Sequence, residues 1–386
     1  MFDRVTAPTW AEINLDNLES NLNNIKKLLK KNTKVCTVLK ANAYGHGSVE
    51  IARFLQDKEI DYIAVARLEE AIELRNNDIA TPIICLGYIP QESIDIAVNN
   101  DITITVYSLE MAQKVNDICL DQNKKAKIHI KIDTGMSRIG FMVNNKTIDD
   151  IYEIDKLEFI EIEGIYTHFS KADEINKDFT NIQVQRFNSI IKRLEELDIY
   201  IDIKHVSNSA ATMDIPELQY NMVRCGIVLY GYYPSTEVRK ERLELKPVMT
   251  LKTTISHIQT LEKGIGISYG HKYKTNNSEK IATIPIGYAD GFTRIQKNPK
   301  VVIKGEVFDV VGKICMDQCM IKIDKEIDIK IGDEVIIFGE EIRTADDLAK
   351  DIETINYEII CMISRRVELV YMAKNAILQV NSYLVK

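Results

Sequence analysis

The chain has no hydrophobic run approaching the ~18 residues needed to span a bilayer, so no transmembrane segment is expected. Its opening stretch, Met1 to Trp10, carries Asp3, Arg4 and Pro8 where a secretory leader would have an apolar core. Cysteine is sparse and unpatterned. There are seven, an odd number, and Cys315 and Cys319 are four apart, a spacing that fits neither a CxxC redox motif nor half of a zinc site. Reduced thiols in a cytoplasmic protein, with no metal, are the expectation. Positive charge is also in deficit: 49 Lys and Arg stand against 57 Asp and Glu, a net charge of -8. That balance argues against a nucleic-acid surface, which needs a basic stripe. The glycines at 45 and 47 form neither a Walker nor a dinucleotide fingerprint, so no nucleotide is implied.

What the chain does have is an ordinary globular composition, 45% hydrophobic and 27% charged over 386 residues. Single cores stop growing near ~250–300 residues, so two domains are expected. The first part alternates short β-rich runs with helical stretches. Strands are expected at Val35–Leu39, Asp61–Ala66, Ile83–Leu86, Thr103–Val106, Ile128–Ile132, Gly164–His168, Ile203–Val206 and Asn221–Leu229. Asp16 or Asn17 can cap a first helix carrying Leu18, Leu22, Ile25 and Leu29. Gln185–Leu197 has Phe187, Ile190, Ile191 and Leu194 on one face. Eight strands separated by helices predict an α/β barrel, TIM-like and parallel, over residues 1–243, with the first few residues free to pair elsewhere. After Lys246-Pro247 the runs Val248–Thr260, Ile281–Ile286, Lys300–Lys304, Val307–Val311, Met320–Ile323 and Glu334–Phe338 are divided by turn signals. They predict a mostly β domain over 244–386, interrupted by a helix that Thr344 caps.

In a parallel barrel the functional groups lie at the carboxyl ends of the strands. Lys40 follows strand one, where partial desolvation would lower its pKa and make it a usable amine or a Schiff-base partner for an aldehyde. Lys131, Asp133 and Arg138 follow strand five, His168 ends strand six, His205, Asn208 and Ser209 follow strand seven, and Arg224 and Gly226 belong to strand eight. Ser209 and the backbone near Gly226 are suited to a phosphate, since a glycine allows close approach.

The string Val35 to Gly47, with Lys40 and Tyr44, resembles the pyridoxal-phosphate lysine motif of alanine racemases. The resemblance extends over almost the whole chain. It takes in Thr9–Leu15, Arg138, His168, Asn208-Ser209 and Arg224–Ile227, and, further on, Ile267–Gly270, Gly287–Gly291, Gly312–Asp317 and Asn356–Glu358. It implies a fold-type III enzyme that uses pyridoxal 5'-phosphate as a head-to-tail homodimer. Lys40 would carry the cofactor; Tyr44, Ser209, Gly226, Ile227 and Tyr357 would bind its phosphate, with Asn208 adjoining. Arg138 would contact the ring's phenolic oxygen and the substrate, beside His168. Lys131 matches a position that is carbamylated in many members. Tyr269 would be a second base opposite Lys40, and Tyr288, Met316 and Asp317 would line the substrate approach, all donated across the dimer.

Arg224 bears on reaction type. An arginine will not surrender its proton to a pyridine, so the ring nitrogen stays neutral and the carbanion is less delocalised. That suits removal and return of one proton over transamination or decarboxylation. The implied activity is interconversion of L- and D-alanine, feeding peptidoglycan synthesis. A serine or broad-specificity racemase shares the scaffold. A basic amino-acid decarboxylase or a non-catalytic cofactor carrier fits less well. Arg365–Leu369 departs from the Arg-Val-Pro-Arg of many members, a change expected to affect the last strands and not the site.

Overall fold

The structure is a computed structural model that describes residues 5–339 and 342–384; Met1–Arg4, part of the opening stretch discussed above, lie outside the described residues. The chain divides into two compact units. One comprises Ser20–Ala43 and Gly47–Leu245, the other Met1–Glu19, Tyr44–His46 and Lys246–Lys386.

The first unit is a nearly closed parallel barrel. Its strands are Lys34–Val38, Tyr62–Val65, Ile83–Cys85, Ile102–Val106, Ala126–Asp133, Ile160–Tyr166, Ile203–His205 and Met222–Cys225. Strands one to seven pair in parallel in order, and strand eight pairs with strand one, Arg224 opposite Cys36. Strands seven and eight meet through Asn221 N–H to Lys204 O at 3.0 Å and Arg224 N–H to Ser207 O at 2.9 Å. The uninterrupted apolar runs are buried on both faces, as parallel strands under helices must be. The last strand is shorter than its apolar run: Gly226 breaks it, and Ile227–Tyr230 turns into a 3-10 helix.

Two helices refine the expectations. The first runs Leu15–Leu28, and its cap is Asn14, whose Oδ1 accepts the Asn17 N–H at 2.9 Å, in place of Asp16 or Asn17. The other begins at Asp178, seven residues before the apolar face suggested, and ends at Glu195. It buries Thr180, Gln183, Phe187, Ile190 and Leu194 at helical spacing, so polar Thr180 and Gln183 extend the stripe beyond its apolar part. Gln183 donates to His168 O at 3.0 Å and Thr134 Oγ1 at 3.1 Å, and accepts from Ser170 N–H at 3.0 Å. One side chain thereby ties down the loops after strands five and six.

The second unit is built on a ten-stranded sheet. Thr9–Asn14 lies within it, antiparallel to Met249–Thr254 and parallel to Glu368–Ala373. Val248–Thr260 is two strands, Met249–Thr254 and His257–Leu261, because Ile255 and Ser256 turn to bond Asp333 and Thr283. Thr344 caps the helix Ala345–Asp351 in a capping box with Asp347. Among the described residues no helix is long and apolar enough to cross a membrane.

Candidate active site

Strand one delivers Lys40 into an unusual turn. Ala41, Asn42, Ala43 and Tyr44 have φ between 52° and 54°, one left-handed turn made entirely of residues with a Cβ. Each costs about 1–2 kcal/mol against the right-handed form. The surroundings over-determine it. Ala43 N–H bonds Leu39 O at 2.9 Å, Gly47 N–H bonds Asn42 O at 3.0 Å, and Asn42 Oδ1 accepts Ser48 N–H at 2.9 Å. Glu70 joins in, accepting Ala41 N–H at 2.6 Å and Ala66 N–H at 2.8 Å. Such strain is retained where geometry matters more than stability. Lys40 itself is exposed.

Desolvation acts on Lys131. It is 3% exposed, and burial, reinforced by the charges of Arg224 and Arg138 against Asp133, brings its amine down to about 7. Its Nζ donates to Ile132 O at 2.7 Å and lies 5.5 Å from the centre of the Tyr166 ring. Asp133 shapes the loop that follows. Its carboxylate accepts from Gly135 N–H at 2.8 Å, Ser137 N–H at 3.0 Å and Arg138 N–H at 3.2 Å. Burial opposes the charge, but these donors and Lys131 hold the carboxyl below its usual range. Arg138 is exposed at the end of that loop.

Arg224 is buried on strand eight with its guanidinium surrounded by acceptors. Nη1 donates to His205 Nδ1 at 2.8 Å and His205 O at 3.0 Å; Nη2 donates to Thr167 O at 2.8 Å and Val206 O at 3.1 Å. His168 Nδ1 lies 3.4 Å from Nη2. Among the described residues these contacts commit the Nη hydrogens and leave Nε–H as the remaining donor. Burial, then the charges of Arg224, Arg138, Lys131 and Lys40, hold His168 well below the usual imidazole range. It is therefore neutral at pH 7.

After strand seven, Asn208 caps the helix Ser209–Asp214 through Ala211 N–H at 3.1 Å. Ser209 is buried, and its Oγ accepts Gly226 N–H at 3.0 Å, leaving the hydroxyl proton to donate. Gly226 N–H is thus hydrogen-bonded within the chain. Ile227 is buried in the turn that follows.

The second unit holds the other candidates. The rings of Tyr44 and Tyr357 lie 6.0 Å apart, tilted at 49°. Between them in sequence, Gly45 has φ 84°, and a Cβ there would come 2.2 Å from Ile360 O, so only glycine fits. Tyr269 is 66% exposed on a short turn in which Ser268, Gly270 and His271 all have positive φ. Ser268 Oγ fastens that turn to Lys313 O at 2.6 Å. Tyr288 and Met316 project from two loops joined by Tyr288 N–H to Cys315 O and Ala289 N–H to Met316 O, both 3.1 Å. Arg366 bridges the same loops, reaching Asp317 at 2.8 Å and Asp290 at 3.3 Å. The Arg365–Leu369 departure therefore does touch a candidate site residue, Asp317, contrary to the expectation that it affects the last strands alone.

Sequence reasoning overlooked Glu163, His129 and Tyr62, which lie inside the barrel and bond one another. The available signal was a polar side chain within otherwise apolar parallel strands.

The family model described as alanine racemase, N-terminal domain, matches residues 13–234, and that of the alanine racemase C-terminal domain matches 248–371. The alanine racemase of Clostridium tetani (strain Massachusetts / E88) is 47% identical over 382 residues, 98% of each chain. The structure of alanine racemase from Clostridium difficile 630 in complex with cycloserine is 58% identical and superposes with a TM-score of 0.96, covering 99% of this chain and 100% of that one. That of Bacillus anthracis with bound L-Ala-P is 35% identical, with a TM-score of 0.93 and 99% coverage of both. Two matched domains in order, and relatives this similar along their full length, make the chain a member of the alanine racemase family.

Proposed function

We propose that this protein interconverts L- and D-alanine with pyridoxal 5'-phosphate held at the barrel mouth. The family is pyridoxal-phosphate dependent, and the donor set fits the group. Lys40 supplies the amine, Ser209 a hydroxyl for the phosphate beside Gly226 and Ile227, and Arg138 a cation for the ring oxygen. Tyr44 and Tyr357 are assigned to the phosphate by the match of their motifs, and Asn208 acts by capping the helix that starts at Ser209. When bound, the cofactor supplies an electron-withdrawing ring that weakens the substrate's Cα–H bond.

The observation that carries the reading is the environment of Arg224. Its Nη partners are carbonyls and imidazoles, with no carboxylate among them. The remaining Nε–H would face the cofactor's ring nitrogen as a donor that does not yield its proton, and so would keep that nitrogen neutral. A decarboxylase of this fold type needs an acid at that position. Lys40 moves the proton on one face of Cα. Tyr269, exposed on its strained turn, moves it on the other, acting on the barrel of a second copy in a homodimer. Neutral His168 beside Arg224 accepts a hydrogen bond at Nδ1, which leaves its Nε2–H to orient the tyrosine oxygen. Tyr288 and Met316, fixed by their paired loops with Asp317, narrow the approach and favour a methyl side chain over the hydroxymethyl of serine. The D-alanine formed supplies peptidoglycan. A cytoplasmic setting agrees with the cysteines, which form no disulfide among the described residues.

The test is purified protein incubated with each L-amino acid in turn and read by chiral chromatography. Alanine should run to equal amounts of both enantiomers, since the two have the same free energy. Alanine that stays wholly L contradicts the reading.

A further inference from the structure

Arg224 is the mouth end of a hydrogen-bonded chain that runs through the barrel interior to the opposite rim. Its Nη1 donates to His205 Nδ1 at 2.8 Å. A neutral His205 that accepts at Nδ1 carries its proton on Nε2, which lies 2.9 Å from His129 Nδ1. His129 accepts there in turn, so its own proton is on Nε2, 3.2 Å from Glu163 Oε2. A guanidinium only donates and a carboxylate only accepts, so both ends impose the same direction on the two imidazoles. Both rings are neutral. Burial first, then the Arg224 charge, holds His205 well below its usual range, and burial lowers His129 despite its bond to Glu163.

The chain is built into the barrel with some care. Gly164, opposite His129 in the ladder, is the only residue type that fits, because a Cβ there would lie 2.6 Å from the imidazole. The strand irregularity between Ile128 and His129 sets that register. Tyr166 stacks on His205 with centroids 4.6 Å apart at 14°. At the far rim Glu163 also accepts from Tyr62 Oη and, at 2.5 Å, from Lys127 Nζ. Burial works against the Glu163 carboxylate, but donors from His129, Lys127 and Tyr62 bring it to about 2.

We propose that Glu163 is a positioning residue for the chemistry at the other end of the barrel: through His129 and His205 it keeps an acceptor facing Arg224 and so holds the guanidinium in the pose that leaves Nε–H to the cofactor. This rests on the reading of Arg224 given above. A glutamine at 163 accepts or donates with equal ease, so only the Arg224 end still imposes the direction and the reversed sense becomes populated. In the reversed sense, His205 would turn an Nδ1–H toward an Arg224 N–H, two donors face to face. The guanidinium would then shift away from His205, and the control it exerts over the ring nitrogen would weaken.

The experiment uses cofactor-loaded protein. Wild type is first assayed with alanine; inactivity there counts against the functional reading, not against this inference. In Glu163→Gln, the fraction of turnovers that end in transamination should rise and kcat should fall, each by about threefold to thirtyfold, the range for residues that act through a network. KM should hold. The imidazole 15N shifts of His205 should move from a single Nε2–H tautomer to a mixture. Lys127→Met, which removes an exposed cation and keeps the carboxylate, should leave kcat and the partition unchanged. Should Glu163→Gln not fold, Gly164→Ala displaces His129 from the other side and should raise the same fraction. A folded Glu163→Gln or Gly164→Ala protein with wild-type partition and an unaltered His205 tautomer overturns the proposal.

Discussion

Arg366 places Nη1 2.8 Å from Asp317 Oδ1 while its Nε lies 3.3 Å from Asp290 Oδ1. Asp290 is buried and accepts Gly287 N–H at 2.9 Å, so one arginine ties the loop of Tyr288 to the loop of Met316. The close fit of those loops leaves no room for a side chain at Gly287, whose Cβ would come 2.2 Å from Met316 O. Arg366→Ala removes the bridge and leaves the backbone bonds between the loops in place. The pair with Asp317 is open to solvent, so its loss amounts to ~0.5–1 kcal/mol. The expected result is a rise of about twofold to fivefold in KM for alanine with kcat nearly constant. A kcat loss at unchanged KM would place Arg366 elsewhere in the reaction.

The lowered amine of Lys131 leads to the prediction that it reacts with carbon dioxide. The neutral amine attacks the carbon, forms the N–C bond and releases a proton, so the reaction needs the free base. With its amine at about 7, Lys131 is mostly neutral at pH 8 and mostly charged at pH 6. Incubation with 13C-bicarbonate should give a carbamate carbon signal at pH 8 that fades toward pH 6 and is missing in Lys131→Met. A featureless carbonyl region at pH 8 would count against carbamylation.

The barrel's histidines fix the acid side of the stability profile. His129 and His205 are fully buried and lowered in the folded protein, whereas in the unfolded chain they titrate near ~6.5. Below that pH the unfolded state binds protons the native state refuses, so stability is complete above ~6.5 and declines as pH falls through it. With His168, which is lowered in the same direction, three such groups give a slope of at most ~4 kcal/mol per pH unit. Urea midpoints between pH 8 and 5 should drop accordingly. A flat profile across pH 6.5 would mean that these rings charge in the folded state.

Arg224→Glu places an acid where the guanidinium stands, which would let a bound cofactor's ring nitrogen take a proton. Racemisation should fall by about 10²- to 10³-fold, the scale seen when one preorganised donor is removed. Transamination should rise at the same time, read as loss of the bound cofactor's absorbance during incubation with alanine. A variant that is slower but makes no keto acid would detach Arg224 from the choice of reaction.

Much of this architecture is legible in the residues because burial on both faces leaves a plain mark. Val35, Cys36 and Val38, or Ile83 and Ile84, have no polar alternation, and they are barrel strands. Ends are harder. Ile227 to Leu229 continue the apolar run of strand eight, yet the backbone turns at Gly226, because apolarity records burial and not extension. Asn14 caps the first helix although Asp16 and Asn17 are equally good caps, and only the tertiary register of Thr9–Asn14 decides among them. The left-handed turn at Ala41–Tyr44 leaves little trace in residue type, since of its four residues only Asn42 favours positive φ. Lys40, Arg138, His168, Ser209 and Arg224 stand out at strand ends; the links from Arg224 to Glu163 depend on which strands become neighbours, which local pattern does not encode.

The central claim is that protons leave and return on opposite faces of Cα through two different groups, Lys40 and Tyr269. The direct measurement is solvent deuterium incorporation into L-alanine and D-alanine by Tyr269→Phe, each enantiomer followed separately at early times. The account predicts that exchange is lost chiefly from one enantiomer and retained by the other, the face that Lys40 serves. Equal loss from both would contradict it.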